Sequence, residues 1–291
     1  MHEYRVCAVI VAYNPGAALV ENIAALFPQV ARLVIVDNGS GDESKAYIDE
    51  ACRAHGCEVI WNGRNLGIAA ALNAGIRFAQ SQGCDWVALF DQDSKVMGDF
   101  VAPMLRAYEE YPRPEKIAII APRYIDRASL MPMLPMVSRR GETLASMTSG
   151  SLIPMRAFRE CGLFDESLFI DYVDHEFCLR VRSMGFVIIE AEKGVLLHSL
   201  GAITVHRFLG KNIVTTNHRA ARRYYITRNR IWLYRKYLWK DFAWTRIDAL
   251  GMLEEVVKIL LVERGRASKL RNIFLGTLDA FRGAMGNRVP L

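Results

Sequence analysis

The chain has 291 residues, 52% of them hydrophobic and 23% charged, with 21 glycines and 10 prolines. This composition excludes a mainly disordered chain, a collagen-like repeat and a proline-rich linker, and the length suits two domains or one large α/β domain with an appendage. The net charge of +6 is uneven: from Arg207 onward 18 Lys and Arg face 6 Asp and Glu, a net of +12, which leaves −6 on the first 206 residues.

Residues 6–12, VCAVIVA, form a continuous apolar run stopped by Asn14-Pro15-Gly16, the pattern of a strand buried on both faces. Helical spacing over 17–27 follows, then a second buried strand at 32–36 that stops at Asp37-Asn38-Gly39. A helix over 42–55, a strand over 57–61, an Ala-rich helix over 67–81 and a strand over 85–90 continue the alternation. Strand alternating with helix predicts an α/β fold with parallel pairing. Further on, 98–111 and 174–184 read as helices, 117–121 and 186–190 as strands, and 154–161 as a short helix with Pro154 near its first turn. Residues 126–147, rich in Met and Pro, read as a long surface excursion.

Between Gly210 and Gly251 there is no glycine or proline, which predicts one long helix or two abutting ones. An amphipathic helix is predicted over 248–263, with Met252, Leu253, Val256, Val257, Leu260 and Leu261 as its core-facing stripe. No run of 18 apolar residues suits membrane crossing, and Met1–Arg5 does not read as a signal peptide. The six scattered cysteines form no C-x-x-C pair and suit a reduced, intracellular protein with small buried thiols.

In an open parallel sheet, ligands bind beyond the carboxyl ends of the strands. Here those ends carry Ala12-Tyr13-Asn14, Asp37-Asn38, Asn62 with Arg64-Asn65, and Asp91-Gln92-Asp93. Turns favour Asn, Asp and Gly anyway, but four polar ends in succession favour a polar ligand site. Asp91 and Asp93 repel each other unless a hard divalent cation neutralises them, and such a cation suits a diphosphate. Gly39-Ser40-Gly41 opens a helix much as a dinucleotide fingerprint does. The third glycine is missing, however, and Asp42 and Glu43 would stand where a pyrophosphate belongs. A second acidic cluster, Asp165, Glu166, Asp171, Asp174 and Glu176, is interleaved with aromatics. It reads either as ordinary helix-start carboxylates or as a general base beside a pocket. His198 closes a strand-like run and reads as structural or as a third metal ligand, while His175 is expected to face elsewhere.

Together AVIVAYNP at 8–15, VIVDNGSGD at 34–42, NLGIAAALNAGI at 65–76, LFDQDS at 89–94, TSGSLIP at 148–154, FDESLFIDYVDHEFCLRVRSMGF at 164–186 and LLHSLG at 196–201 resemble family 2 glycosyltransferases of the GT-A fold. More narrowly, the chain resembles bacterial L-rhamnosyltransferases of surface-polysaccharide synthesis. The resemblance implies a Rossmann-like, mostly parallel α/β sheet over 1–206, with a nucleotide-sugar half to about 95 and an acceptor half after it, and a basic helical extension over 207–291. It implies that Ala12, Tyr13 and Asn14 border the base, that Asp37 accepts from a pyrimidine N3–H, and that Asn65 and Gly67 wall the donor site. Asp91 would hold the ribose or join the metal shell, Asp93 would ligate Mg²⁺ or Mn²⁺, and His198 would approach the metal or diphosphate. Asp174 would be the general base, with Val173 where the family usually has Glu. The implied reaction is inverting transfer from dTDP-L-rhamnose to a glycan or lipid-linked glycan; another sugar nucleotide such as a UDP-hexose, or a non-catalytic membrane-associated scaffold, are the alternatives.

The basic extension has eight Lys and Arg, no acids, and several Tyr and Trp within 219–240. Three readings stand: an anchor on an anionic membrane, a packing or oligomer contact, and a nucleic-acid surface, the last disfavoured by the acidic body. A cytoplasmic protein, peripheral on the inner face of the membrane, is the expectation.

Overall fold

The computed structural model describes all residues except 1–3, 128, 199–203, 209 and 291. The chain divides into two compact units, Met1–Glu166 with Val173–Ser199, and Ser167–Tyr172 with Leu200–Leu291. The sequence reading draws its boundary at 206 and keeps 167–172 in the acceptor half; the observed division takes that hexapeptide into the second unit.

In the first unit β1 (Val6–Ala12), α1 (Ala18–Leu26), β2 (Arg32–Asp37), α2 (Asp42–His55), β3 (Glu58–Trp61), α3 (Ile68–Ser81) and β4 (Trp86–Asp91) follow the expected alternation. Every residue of β1 is buried, as a strand covered on both faces must be. Helix α2 opens with Asp42 and Glu43 in its first turn and stops at Gly56, whose φ of 69° suits a glycine C-cap. Helix α3 approaches β1 closely at Gly75, where an added Cβ would stand 2.2 Å from Val9 Cγ1. Leu19, Ile23 and Ile48 from the helices meet Ile10, Ile35 and Phe90 from the strands in the main core.

Next come β5 (Lys95–Met97), α4 (Val101–Glu109), β6 (Ile117–Asp126), β7 (Met136–Val137), β8 (Thr143–Ala145), β9 (Leu152–Pro154), α5 (Met155–Cys161), α6 (Val173–Ser183) and β10 (Val187–His198). The main sheet runs β3-β2-β1-β4-β9-β6-β10-β5, with β9 antiparallel to β4 and β6, and β5 antiparallel to β10. It is therefore a mostly parallel α/β sheet. Strands β6 and β10 extend well past their apolar cores because they pair with each other up to His198 and Asp126, across a bulge between Ala191 and Val195. The excursion at 126–147 contains the β7–β8 ribbon.

The second unit holds a ribbon, β11 (Thr204–Phe208) with β12 (Lys211–Thr215), then α7 (Ala220–Tyr237), α8 (Phe242–Leu261) and α9 (Arg266–Arg282). The glycine-free stretch is thus two helices, but the first begins only at Ala220 because 211–215 pairs as a strand. Gly276 of α9 lies against α7: an added Cβ would stand 2.5 Å from the Tyr224 carbonyl oxygen.

Burial separates the readings of this region. Within 219–240, Arg223, Tyr224, Tyr225, Arg228, Arg230 and Tyr237 are buried, so the body of the segment is a packing helix, and Trp239 and Lys240 at its end are exposed. Its buried cations are paired internally: Arg223 pairs with Glu255 and with Glu263 (3.1 Å), and Arg230 with Asp248 (3.1 Å) and Glu255 (2.9 Å). Arg228 lies over the rings of Tyr225 and Tyr224, 4.9 and 5.6 Å from their centroids. Buried charges demand such partners, and the aromatic faces complete the enclosure. The stripe on α8 is the converse case. Leu253, Val257, Leu260 and Leu261 face solvent, while Trp244, Asp248 and Ile259 face inward.

Candidate active site

The ends of β1, β2 and β4 are knitted together by their own polar side chains. Gln92 accepts from the Tyr13 backbone N–H (2.7 Å) and donates to the Tyr13 carbonyl (3.2 Å). Asn14 adopts φ 50°, donates its backbone N–H to Ser40 Oγ (2.8 Å), and accepts from the Gly41 N–H through Oδ1 (2.9 Å). The Ala12 carbonyl accepts from the Asn38 N–H at 2.7 Å. Asp37 is buried and accepts from the N–H groups of Gly39 and Ser40. Asn38 donates to Asn65 Oδ1 (3.1 Å) and accepts from Asn62 Nδ2 and the Leu66 N–H, so the loop after β3 is tied to the end of β2. Gly39, at φ 92°, lets that loop pass: a Cβ there would lie 2.6 Å from the Arg64 backbone. Gly67, at φ 91°, donates to Asn65 Oδ1 (2.9 Å) and opens α3.

A cavity of about 240 Å³ opens beside Asp37, Gly39 and Ser40, with Lys45, Asp49 and Trp61 on its wall. Sequence reasoning did not select Lys45 or Trp61. Trp61 carried a usable signal, since it is the last residue of β3 and stands at a carboxyl end.

Asp91, Asp93 and His198 converge: a potential ligand atom of each lies within 4.8 Å of the others. His198 arrives as the last residue of β10 and is buried. Its Nδ1 is 2.9 Å from Ser94 Oγ, which is 2.7 Å from Ser149 Oγ, and Ser149 Oγ accepts from the Asp91 N–H at 3.0 Å. With Nδ1 engaged by Ser94, Nε2 is the ring nitrogen left to an ion. Two carboxylates and one imidazole suit Mg²⁺ or, with its greater tolerance for nitrogen, Mn²⁺. The two serines are residues the sequence reading missed, although both lie inside motifs it singled out.

Asp174 stands in the first turn of α6 and accepts from the His175 backbone N–H (2.8 Å). It lines a cavity of about 180 Å³ whose walls are largely apolar, from Met133, Leu134, Pro135, Met136 and Met147 of the Met-rich excursion and its sequel. His175 lines the same cavity, against the expectation that it faces elsewhere. Glu190 is a second carboxyl there, and burial pushes it above the ordinary glutamate range. Tyr124 Oη donates toward the carbonyls of Met147 and Ser149, so the loop that lines this cavity at Ser146 and Met147 also holds Asp91 through Ser149. The other acids of the cluster have structural partners. Glu176 is buried against Arg180 (2.7 Å), Glu166 meets Asn73 and Arg77, and Asp171 pairs with Arg222 at 3.0 Å.

The hexapeptide before α6 is braced within the second unit. Phe169, Asp171 and Tyr172 all adopt positive φ, at 64°, 62° and 64°. Asn229 Nδ2 donates to the carbonyls of Leu168, Ile170 and Asp171, and Arg228 Nη2 to that of Leu168. Tyr172 Oη donates to Asp248 (2.8 Å) and accepts from Arg230. The peptide leads directly into Val173 and Asp174.

Residues 7–162 match the family model described as glycosyl transferase family 2. The dTDP-rhamnosyl transferase RfbF of Shigella flexneri is 30% identical over 97% of this chain and 97% of its own. Among solved structures, the mannosyltransferase PcManGT from Pyrobaculum calidifontis, in complex with GDP-Man and Mn²⁺, superimposes with a TM-score of 0.57 at 13% identity, covering 96% of this chain and 88% of that one. Residues 1–349 of TarS from S. aureus, in complex with UDP-GlcNAc, give a TM-score of 0.56 at 12% identity, covering 96% and 92%. At such identities the structural matches speak for the GT-A-like fold alone.

Proposed function

The chain belongs to glycosyl transferase family 2, and on that premise we propose that it transfers L-rhamnose from dTDP-L-rhamnose to a hydroxyl of a bacterial cell-surface glycan, inverting the anomeric centre. The near full-length similarity to a dTDP-rhamnosyl transferase carries the choice of sugar. In this reading Ala12, Tyr13, Asn14 and Asp37 border the base, and Asn65 and Gly67 wall the donor site. Asp91, Asp93 and His198 would hold a divalent cation, which would supply positive charge against the departing diphosphate. Ser94 fixes the ring of His198, and Ser149 fixes the backbone of Asp91.

Asp174 is the general base. Its carboxylate takes the proton of the acceptor hydroxyl as that oxygen bonds to the anomeric carbon, and the bond from that carbon to the diphosphate oxygen breaks, its electron pair leaving with the nucleoside diphosphate. The cavity at Asp174 suits an acceptor that presents a hydroxyl from an otherwise apolar face.

Thermal melting with Mn²⁺ and dTDP, UDP or GDP, with and without EDTA, tests the donor. A ligand at about 100 times its Kd adds roughly 2.7 kcal/mol. A metal-dependent shift with dTDP is the expected result; a shift with UDP alone keeps the chemistry and discards rhamnose. Asp174→Asn is expected to bind the donor normally and lose on the order of 10²-fold or more in turnover. Near-normal turnover in that variant removes Asp174 from the role.

A further inference from the structure

On α8, Leu250, Leu253, Val257, Leu260 and Leu261 are each between 43% and 62% exposed. Their spacing places them on one face of a 20-residue helix about 30 Å long, and Phe242, 60% exposed, extends the same stripe by two turns. The opposite face is the one that the unit uses for its own packing, through Trp244, Thr245, Asp248 and Ile259. Arg246 interrupts the stripe near its start and Arg264 follows its end, both exposed. Trp239, 89% exposed, stands just ahead of the helix. An apolar stripe of this length has no use in water, and its exposure marks an interaction surface.

The charge of the unit decides what covers it. Most of its carboxylates are engaged internally: Asp248, Glu255 and Glu263 with Arg223, Arg230 and Lys269, Asp279 with Tyr224 Oη, and Asp241 as the cap of α8. Among the described residues of the three helices, Glu254 is the exposed acid, and it pairs with Lys258 at 2.7 Å. The exposed cations include Lys240, Arg246, Arg264, Arg266, Arg271 and Arg282. Lys240, Arg246 and Arg264 flank the stripe along the chain, and a second copy would set this cationic rim against itself. An anionic bilayer neutralises the rim and takes up the leucines. No described helix is long and apolar enough to cross a membrane, which agrees with a helix lying in the interface plane.

We propose that the outward face of α8, with Trp239 and the flanking arginines, is a docking surface for an anionic lipid bilayer. This surface lies outside the buried stretch of α7 and takes from the 219–240 segment only its exposed end, Trp239 and Lys240; it does not depend on which sugar is transferred.

The test is co-sedimentation of the full chain with phosphatidylcholine vesicles, with and without phosphatidylglycerol, at low and high salt. The wild-type chain is expected to sediment with the phosphatidylglycerol vesicles, less at high salt, and weakly with phosphatidylcholine alone. L253E/L260E changes two exposed positions, so its melting temperature is expected to match the wild type while its vesicle binding falls about tenfold or more. Should that variant fail to fold, R246E/R264E, which removes two surface cations, carries the same test. Failure of the wild type to bind anionic vesicles overturns the proposal. Binding that survives L253E/L260E also overturns it, because charge alone would then be responsible. A wild-type dimer in light scattering that becomes a monomer in L253E/L260E assigns the face to a second copy instead.

Discussion

Asn229 is the side chain through which α7 holds the peptide that leads to Asp174, and its replacement tests that reading. Left-handed backbone costs a non-glycine residue roughly 1–2 kcal/mol, so Phe169, Asp171 and Tyr172 together store about 3–6 kcal/mol. Asn229 offsets this by sharing its two N–H donors among three carbonyls at 2.7–2.9 Å, and its side chain is fully buried, which restricts the access of water to the groups it leaves. In Asn229→Ala the Leu168 carbonyl keeps Arg228, while those of Ile170 and Asp171 lose the Asn229 donor. At about 1–2 kcal/mol each, the loss is about 2–4 kcal/mol. For domains of this size that corresponds to a fall in Tm of roughly 4–16 °C. Asn229→Asp keeps the shape and removes both donors, so it is expected to lose at least as much. Circular dichroism melts read the stability, and turnover is expected to fall with it while donor affinity holds, since Asp174 lies two residues past the braced peptide. Melting of Asn229→Asp together with the wild type would refute the argument.

Asp93→Ala is expected to abolish the metal dependence of nucleoside diphosphate binding in calorimetry, and unchanged affinity with Mn²⁺ present removes Asp93 as a ligand. Gly75→Ala places a methyl group 2.2 Å from Val9 Cγ1 and is expected to cost about 1–3 kcal/mol in a denaturant titration, whereas the open position Gly63→Ala carries only backbone strain. Burial, with Arg222 and Arg223 nearby, holds the His218 imidazole down to about 4. The unfolded chain therefore binds a proton that the folded chain does not, so this contribution is present above about pH 6.5 and is lost as the pH falls toward 4. After solvent screening it is of the order of 1 kcal/mol, and His218→Gln is expected to flatten the acid limb of the stability profile by that amount.

The strands of the nucleotide half were legible because each is covered on both faces, which forces continuous apolar runs, and because a parallel sheet must end each run in a polar turn. Asp91 and Asp93 could be selected for the same reason: a carboxylate pair at a strand end needs a partner of opposite charge. Short strands such as Leu152–Pro154 escaped, since three residues carry no periodicity and pairing is supplied by neighbours far along the chain. Ser94 and Ser149 escaped likewise, because an ordinary serine acquires a role only when folding brings it to His198 and Asp91.

Sequence by itself determined the layered α/β architecture, the polar strand ends and the positive charge of the C-terminal region, all of which follow from local pattern and composition. Tertiary structure alone decided which cations are buried and which apolar stripe is exposed. Arg223 finds Glu255 and Glu263 more than thirty residues away, so no local charge pattern distinguishes it from a solvated arginine. The α8 stripe has helical spacing whichever way it faces. Periodicity tells that a helix has an apolar side; only the packing of its neighbours decides whether that side is covered.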